Sequence, residues 1–233
     1  ILDLEDSVTP ENKKAAREQI CNWIKETDFK KQECLVRINP LDTPWGSDDL
    51  LAITELLPDG LVLPKVANEH DVRNIDSLVA KIEKSQQTKE GAVSFILIGT
   101  EVPEAVFNSH AMAKISRVTG VTWGAEDLSG ALGAKAKRDL DGNYLEVFSF
   151  VRSTCLLAAV AGNAQPIDAV YVDIKNPDGL RRECKTGADM GYTGKVTIHG
   201  PNGERRVFRY REGKKHGLCT IRDTAGARTE TNY

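Results

Sequence analysis

The chain has 233 residues, 40% of them hydrophobic and 28% charged, with a formal net charge of −3. That length suits one large α/β domain, or a domain with a small appendage. Both signs of charge are mixed along the chain, which argues against a basic nucleic-acid face and an acidic tail, and no apolar run approaches the ~20 residues of a transmembrane helix.

Ile1 to Leu4 reads as a short strand ending in Glu5 and Asp6. The chain opens inside this strand-like run, which places the expected true N-terminus upstream. Thr9 is a plausible N-cap with Pro10 at the first helical position, and Ala15, Ala16, Ile20, Trp23 and Ile24 follow helical spacing. Cys34 to Ile38 is the next strand, ending in Arg37, Asn39 and Pro40. Residues 47–57 read as a short helix capped by Ser47, and Leu61 to Leu63 as a strand closing on Pro64 and Lys65. A polar amphipathic helix over 69–86 runs into a solvated loop ending at Gly91. Val93 to Ile98 is a strand and Pro103 to Ala113 a helix. Val118 to Trp123 is a β-branched strand, followed by a short helix that opens on Glu126 and Asp127. Leu132 to Asn143 reads as a loop able to move, Tyr144 to Ala161 as a long alanine-rich helix and Ala169 to Val172 as a strand. Pro177 to Met190 is a helix and Lys195 to Ile198 a last strand.

Strands and helices thus alternate about seven times in residues 1–199, the pattern of a parallel sheet with helical crossovers. Short uninterrupted strands favour a TIM (β/α)8 barrel over an open doubly wound sheet, and no GxGxxG follows the first strand. Polar residues recur at the carboxyl ends of strands: Glu5 and Asp6, Arg37 and Asn39, Lys65, Glu101, Asp127, Asp173 and His199. In a barrel those ends form one mouth, where reactive groups gather. Residues 200–233 break the pattern. Gly203 recurs as Gly226 and Tyr210 as Tyr233, each 23 residues on, which suggests a β-hairpin repeat and weakly resembles a MORN-type repeat. The five cysteines (Cys21, Cys34, Cys155, Cys184 and Cys219) are widely spread and never at CxxC spacing. Reduced thiols in a cytoplasmic chain are the expectation.

Two strand ends deliver a glycine and then a carboxylate: Gly99-Thr100-Glu101 and Gly124-Ala125-Glu126-Asp127. A hard cation such as Mg²⁺ takes carboxylate oxygens, often only one or two from the protein. Glu101 and Asp127 fit that requirement, and the glycines leave room for a substrate carboxylate near backbone N–H groups. Each acid reads equally as a helix-start residue complementing the helix dipole. Arg37 is either a planar partner for a carboxylate or enolate oxygen or an ion-pair partner inside the mouth. Asp6 and Glu5 either support a metal's water shell or position Arg37, or simply lie near the following helix start. Lys65 either binds a substrate carboxylate or serves as a Schiff-base lysine; a metal site already offers an electron sink, which disfavours the imine. His199 reads as a base or, more simply, as a satisfied histidine. No Ser-His-Asp or Cys-His arrangement stands out.

Taken together, Asp3-Leu4-Glu5-Asp6-Ser7-Val8, Val36-Arg37-Ile38-Asn39, Leu63-Pro64-Lys65-Val66, Gly99-Thr100-Glu101-Val102-Pro103, Trp123-Gly124-Ala125-Glu126-Asp127-Leu128 and Gly194-Lys195-Val196-Thr197-Ile198-His199 resemble the citrate lyase β-subunit-like branch of the HpcH/HpaI aldolase family over residues 1–199. The resemblance implies a TIM barrel, Mg²⁺ held by Glu101 and Asp127, and Arg37 as substrate ligand and enolate stabiliser. It implies a substrate-contact set of Arg37, Glu101, Gly99, Thr100, Gly124, Ala125, Asp6 and Lys65. The implied reaction is retro-Claisen or retro-aldol cleavage of a malyl-, citramalyl- or citryl-type thioester, on coenzyme A or an acyl carrier, to an acetyl thioester and a 2-oxo acid. Thioester hydrolysis on the same site is the alternative, followed by an inactive fragment with a binding role. A homo-oligomer is implied, with neither nucleic acid nor membrane as partner. Against the family pattern, the first βα unit and the usual C-terminal region are missing, so residues 1–199 are expected to form an incomplete barrel domain with an unrelated tail at 200–233. Such a chain is expected to be less stable or less active than a full-length relative.

Overall fold

Period-two alternation decides which way each strand's side chains face. In Leu35–Arg37 (β2), Gly60–Leu63 (β3), Ser94–Ile98 (β4) and Val118–Thr122 (β5), residues Val36, Leu61, Leu63, Phe95, Leu97 and Val121 point to one side and are buried under helices. Leu35, Val62, Ile96 and Ile98 point to the other side and pack with Ile167 in a second apolar cluster. The structure is a computed structural model and describes residues 1–29, 32–173, 175–199, 204–211 and 214–218. Together with Leu2–Asp3 (β1), Gln165–Tyr171 (β6) and Gly194–His199 (β7), these strands run parallel in sequence order. The result is an α/β sheet curled into an open half-barrel flanked by helices, an incomplete version of the expected TIM barrel. The helices are Lys13–Glu26 (α1), Gly46–Thr54 (α2), Glu69–Ser85 (α3), Pro103–Ala113 (α4), Ala125–Leu132 (α5), Glu146–Ala161 (α6) and Pro177–Met190 (α7).

Several boundaries differ from the sequence reading, each for a local reason. Thr9 and Pro10 open a single 3-10 turn, Pro10–Asn12, and Thr9 makes no side-chain capping bond. Ser47 does not cap α2, which starts one residue earlier at Gly46, where a Cβ would lie 2.1 Å from the Pro40 carbonyl oxygen. Strand β6 begins four residues before the expected Ala169, because Pro166 is accommodated in the parallel ladder opposite Val121. The loop at 132–143 is internally bonded: Arg138 bridges Tyr144, and Asp139 accepts bonds from the Asp141 and Asn143 amides. Helix α3 is closed by a capping box formed by Asn68 and Asp71.

Beyond β7 the chain turns back as Glu204–Arg211 (β8) and Lys214–Leu218 (β9), both antiparallel. Gly203, Gly226 and Tyr233, on which the 23-residue repeat rests, lie outside the described residues, as does Cys219. The other four cysteines form no disulfide. No helix among the described residues is long and apolar enough to cross a membrane.

The amino ends of the strands are locked by one buried ion pair. Glu83, fully buried near the end of α3, accepts bonds from the Gly91 and Val93 amides, both at 2.9 Å, and from Arg117 at 2.7 and 3.0 Å. Burial favours the neutral acid, but the Arg117 contact and the two amides more than offset it, so Glu83 titrates below its ordinary value of 4.5. Glu83→Gln leaves the Arg117 charge buried with Asp76 as its remaining carboxylate partner and should cost about 3–5 kcal/mol in chemical denaturation. The sign of the pH dependence follows from the depressed acid: its stabilisation is complete above pH 4.5 and is lost as pH falls through the lower folded-state value. The stability gap between wild type and Glu83→Gln should therefore narrow in acid.

Candidate active site

Five consecutive strand ends build the site. Asp3 in β1 and Arg37 in β2 are register partners, and the guanidinium grips Asp3 through Nε and Nη2, both at 2.7 Å. Arg37 Nη1 also lies 2.8 Å from Glu5 and 3.5 Å from Asp6. Burial works against the Arg37 charge, yet Asp3, Glu5 and Asp6 outweigh it and hold the group permanently cationic. Arg37 is thus ion-paired within the mouth, with its guanidinium shared among three carboxylates. The 3.5 Å contact to Asp6, whose side chain is half exposed, is its longest link.

Lys65 follows β3 in a left-handed conformation with φ 52°. That conformation aims its backbone N–H at Glu101 Oε2, at 2.7 Å, while its Nζ reaches Glu5 at 2.5 Å, Asp127 at 3.4 Å and Asp6 at 3.8 Å. Burial opposes the ammonium, but its hydrogen bond to Glu5 and the acids around it raise its pKa well above the ordinary lysine range. A charged, ion-paired amine is a poor nucleophile, which agrees with disfavouring the imine.

Glu101 follows β4 and is 3% exposed. Burial, then the charges of Glu5 and Asp127, push its carboxyl up to about 8 against the pull of the Lys65 amide. Asp127 sits in the first turn of α5, one-third exposed. Its neighbour Glu126 also lines the cavity and forms an ion pair with Lys137. The two glycines serve packing needs close at hand. The Gly99 amide bonds the Thr122 carbonyl at 2.8 Å, and its missing Cβ makes room for Val121. The Gly124 amide bonds Thr100 Oγ1 at 3.3 Å, and a Cβ there would lie 2.4 Å from Glu101 Cγ. Thr100 and Ala125 are both buried. Asp6, Arg37, Glu101, Gly124 and Asp127 rim a cavity of about 100 Å³ whose floor is Val62, Ile96, Ile98 and Ile167.

Not every strand-end residue joins this cluster. Asn39 bonds Lys13, Asp49 and the Leu4 carbonyl. Asp173 is exposed, and the His199 side chain lies outside the described residues. Among the described residues no three carboxylates, imidazoles or thiolates form a ready cage for a metal ion. Asp3, the bidentate partner of Arg37, was missed by the sequence reading. Its signal is alternation: Leu2 and Leu4 pack with the helix-side core while Ile1 packs with the mouth-side cluster, so Asp3 shares Ile1's face.

A parallel α/β half-barrel with buried charge gathered at the carboxyl ends of its strands defines the barrel class whose site is that mouth. More specifically, residues 1–200 match the HpcH/HpaI aldolase/citrate lyase family, and the chain belongs to it, in the citrate lyase β-subunit-like branch. It is 32% identical over 199 residues to a protein of Cereibacter sphaeroides named (3S)-malyl-CoA thioesterase, covering 85% of this chain and 64% of that one. It is 33% identical over 199 residues to the citrate lyase subunit beta-like protein of Mycobacterium tuberculosis, covering 85% and 66%. The crystal structure of the M. tuberculosis protein CitE with magnesium, acetoacetate and coenzyme A superposes with a TM-score of 0.70 at 31% identity, over 84% of this chain and 66% of that one. The chain thus spans about two-thirds of the length of these relatives, 64% in the case of the thioesterase.

The glycine geometry gives a direct test. Gly124→Ala drives a methyl group into Glu101 and should destabilise by about 1–3 kcal/mol. Gly130→Ala, six residues on in α5, meets nothing within 4 Å and should stabilise by about 0.5–1 kcal/mol through helix propensity. Thermal unfolding of the two variants should move in opposite directions.

Proposed function

We propose that the chain is a Mg²⁺-dependent carbon–carbon lyase that cleaves a malyl-, citramalyl- or citryl-type thioester to an acetyl thioester and a 2-oxo acid. The observation that carries this reading is the convergence of Glu101 and Asp127 on Lys65, beside Arg37, at one barrel mouth. The relatives support it: one is named for malyl-CoA, and CitE was crystallised with magnesium, acetoacetate and coenzyme A.

The donor set suits a hard cation. Glu101 is buried among acids that raise its proton affinity, and the oxygens are carboxylate oxygens, as Mg²⁺ prefers. Glu101 and Asp127 would hold the ion, which when bound supplies Lewis-acid charge stabilisation to substrate oxygens. Arg37, fixed by Asp3, presents a permanent charge to the carboxylate and to the thioester oxygen as it becomes an enolate. Its long contact to Asp6 is the one most readily exchanged for substrate. Lys65 orients Glu101 through its backbone N–H and offsets Glu5 and Asp127 through Nζ. Gly124 and Ala125 line the cavity and would face the substrate, with Thr100 behind them bonding the Gly124 amide. In the reaction a base takes the hydroxyl proton, the carbon–carbon bond breaks, the 2-oxo acid departs, and the acetyl enolate takes up a proton.

Thioester hydrolysis is the second reading, favoured by the name of the C. sphaeroides relative. The acyl portion could be carried on coenzyme A or on an acyl carrier. A cytoplasmic setting fits the four described cysteines, none of them in a disulfide. A homo-oligomer fits the exposed Phe150 and Leu157 on the outside of α6. Residues 1–199 would then be the lyase unit, in line with a family match that ends at residue 200, and 200–233 a non-family tail whose strands β8 and β9 extend its sheet.

The decisive experiment incubates the protein with malyl-CoA and citramalyl-CoA and follows acetyl-CoA, 2-oxo acid and free thiol together. Acetyl-CoA with a 2-oxo acid supports the lyase; free thiol without a 2-oxo acid means hydrolysis. Glu101→Gln and Asp127→Asn should each lower kcat/KM by about 100-fold or more and weaken Mg²⁺ binding in calorimetry. Unchanged activity in both would overturn the assignment. Borohydride trapping with a 2-oxo acid should leave Lys65 unlabelled.

A further inference from the structure

A second buried charge network lies behind the mouth, touching the cavity only through Trp123, and takes no part in the proposed chemistry. Asp168, in β6, is 1% exposed and accepts five hydrogen bonds. Trp123 Nε1 donates at 2.8 Å, Arg152 Nε and Nη2 at 3.1 and 2.7 Å, Lys195 Nζ at 3.0 Å and the Ala169 amide at 3.0 Å. Lys195, the register partner of Asp168, also reaches Glu183 of α7 at 2.9 Å. Glu183 in turn pairs with Arg138, whose guanidinium lies 3.6 Å from the ring centre of Tyr144. The Tyr144 ring meets Trp123 edge-on at 5.0 Å. The contacts therefore form a closed circuit that begins and ends at Trp123.

Trp123 is the residue immediately before Gly124, and Asp127 lies four residues further on. Helix α5, which carries Asp127, is only eight residues long. The circuit holds it from both sides: Trp123 precedes it, and the loop bearing Arg138 and Tyr144 follows it. A buried ionic network of this kind is weak evidence for stability, since apolar residues of similar volume often serve as well. What it does supply is a fixed direction for the indole, and hence for the turn that follows.

We propose that Asp168, acting through the indole N–H of Trp123, is the positioning residue that aims the Gly124–Asp127 turn into the mouth. The proposal rests on Asp127 being a Mg²⁺ ligand, as argued above. It places Asp168 outside contact with metal and substrate, and gives it control over how well Asp127 is presented.

Calorimetric titration with MgCl2 tests it on four proteins: wild type, Asp168→Asn, Trp123→Phe and Glu83→Gln. Trp123→Phe removes the N–H and keeps an aromatic ring, so the test survives if Asp168→Asn does not fold. Glu83→Gln is destabilised at the opposite end of the strands and controls for a general loss of stability. Asp168→Asn and Trp123→Phe should each raise the Mg²⁺ dissociation constant about tenfold or more, with Glu83→Gln binding as wild type does. Wild-type affinity in both network variants, or a loss no greater than in Glu83→Gln, overturns the positioning role while leaving the metal site intact. Absence of Mg²⁺ binding in all four proteins overturns the metal reading itself, and the positioning role with it.

Discussion

The bidentate pair between Asp3 and Arg37 is the constraint on which the mouth depends. A guanidinium that is 3% exposed must be matched by charge close by. Asp3 matches it across the first strand pair, in register. Once Arg37 is fixed, Glu5 and Asp6 are drawn to its remaining side, and Glu5 draws Lys65. Lys65 then reaches both Glu101 and Asp127. Asp3, Glu5, Asp6, Glu101 and Asp127 outnumber the cations near them, Arg37, Lys65 and Lys13. The surplus is negative, and Glu101 holds its proton more tightly, first through burial and then through the charges of Glu5 and Asp127. A site with that imbalance is one that added positive charge would relieve.

The rest of the architecture follows from having two apolar faces on one sheet. Helices cover the face that carries Leu61, Phe95, Leu97 and Val121. The other face curls inward, and its apolar residues become the floor beneath the charges. A dry floor below and a charged rim above strengthen every electrostatic contact between them. The same arrangement explains the glycines. Space at Gly124 is consumed by Glu101, so the close approach of β4 and β5 at their ends is what brings the second carboxylate near the first.

Much of this was legible in the sequence because it rests on local rules. Short apolar and β-branched runs marked the strands, and Pro103 and Pro177 marked two helix starts to the residue. The strand-end positions of Arg37, Lys65, Glu101 and Asp127 alone put them at one mouth. The misses have physical causes too. Ser47 has the chemistry of a cap, but the clash avoided at Gly46 decides where α2 begins. Pro166 argues locally against a strand, and tertiary pairing overrides it. Asp3 hid in a two-residue strand too short for its pattern to be read with force. Asp168 and Lys195 could not be paired from sequence, because their partnership depends on the register of two parallel strands.

That last pair bears on how an open half-barrel keeps a site in order. A closed barrel braces every strand from both sides. Among the described residues the parallel sheet ends at β1 on one side, and β7 is followed by the antiparallel β8 and β9. The charged rim ties β1 through β5 together by way of Arg37, Lys65 and Asp127. The Asp168 network ties β5, β6 and β7 to α6 and α7. The two sets of contacts meet at one place, the step from Trp123 to Asp127. The geometry of that short turn is therefore set from both halves of the described sheet.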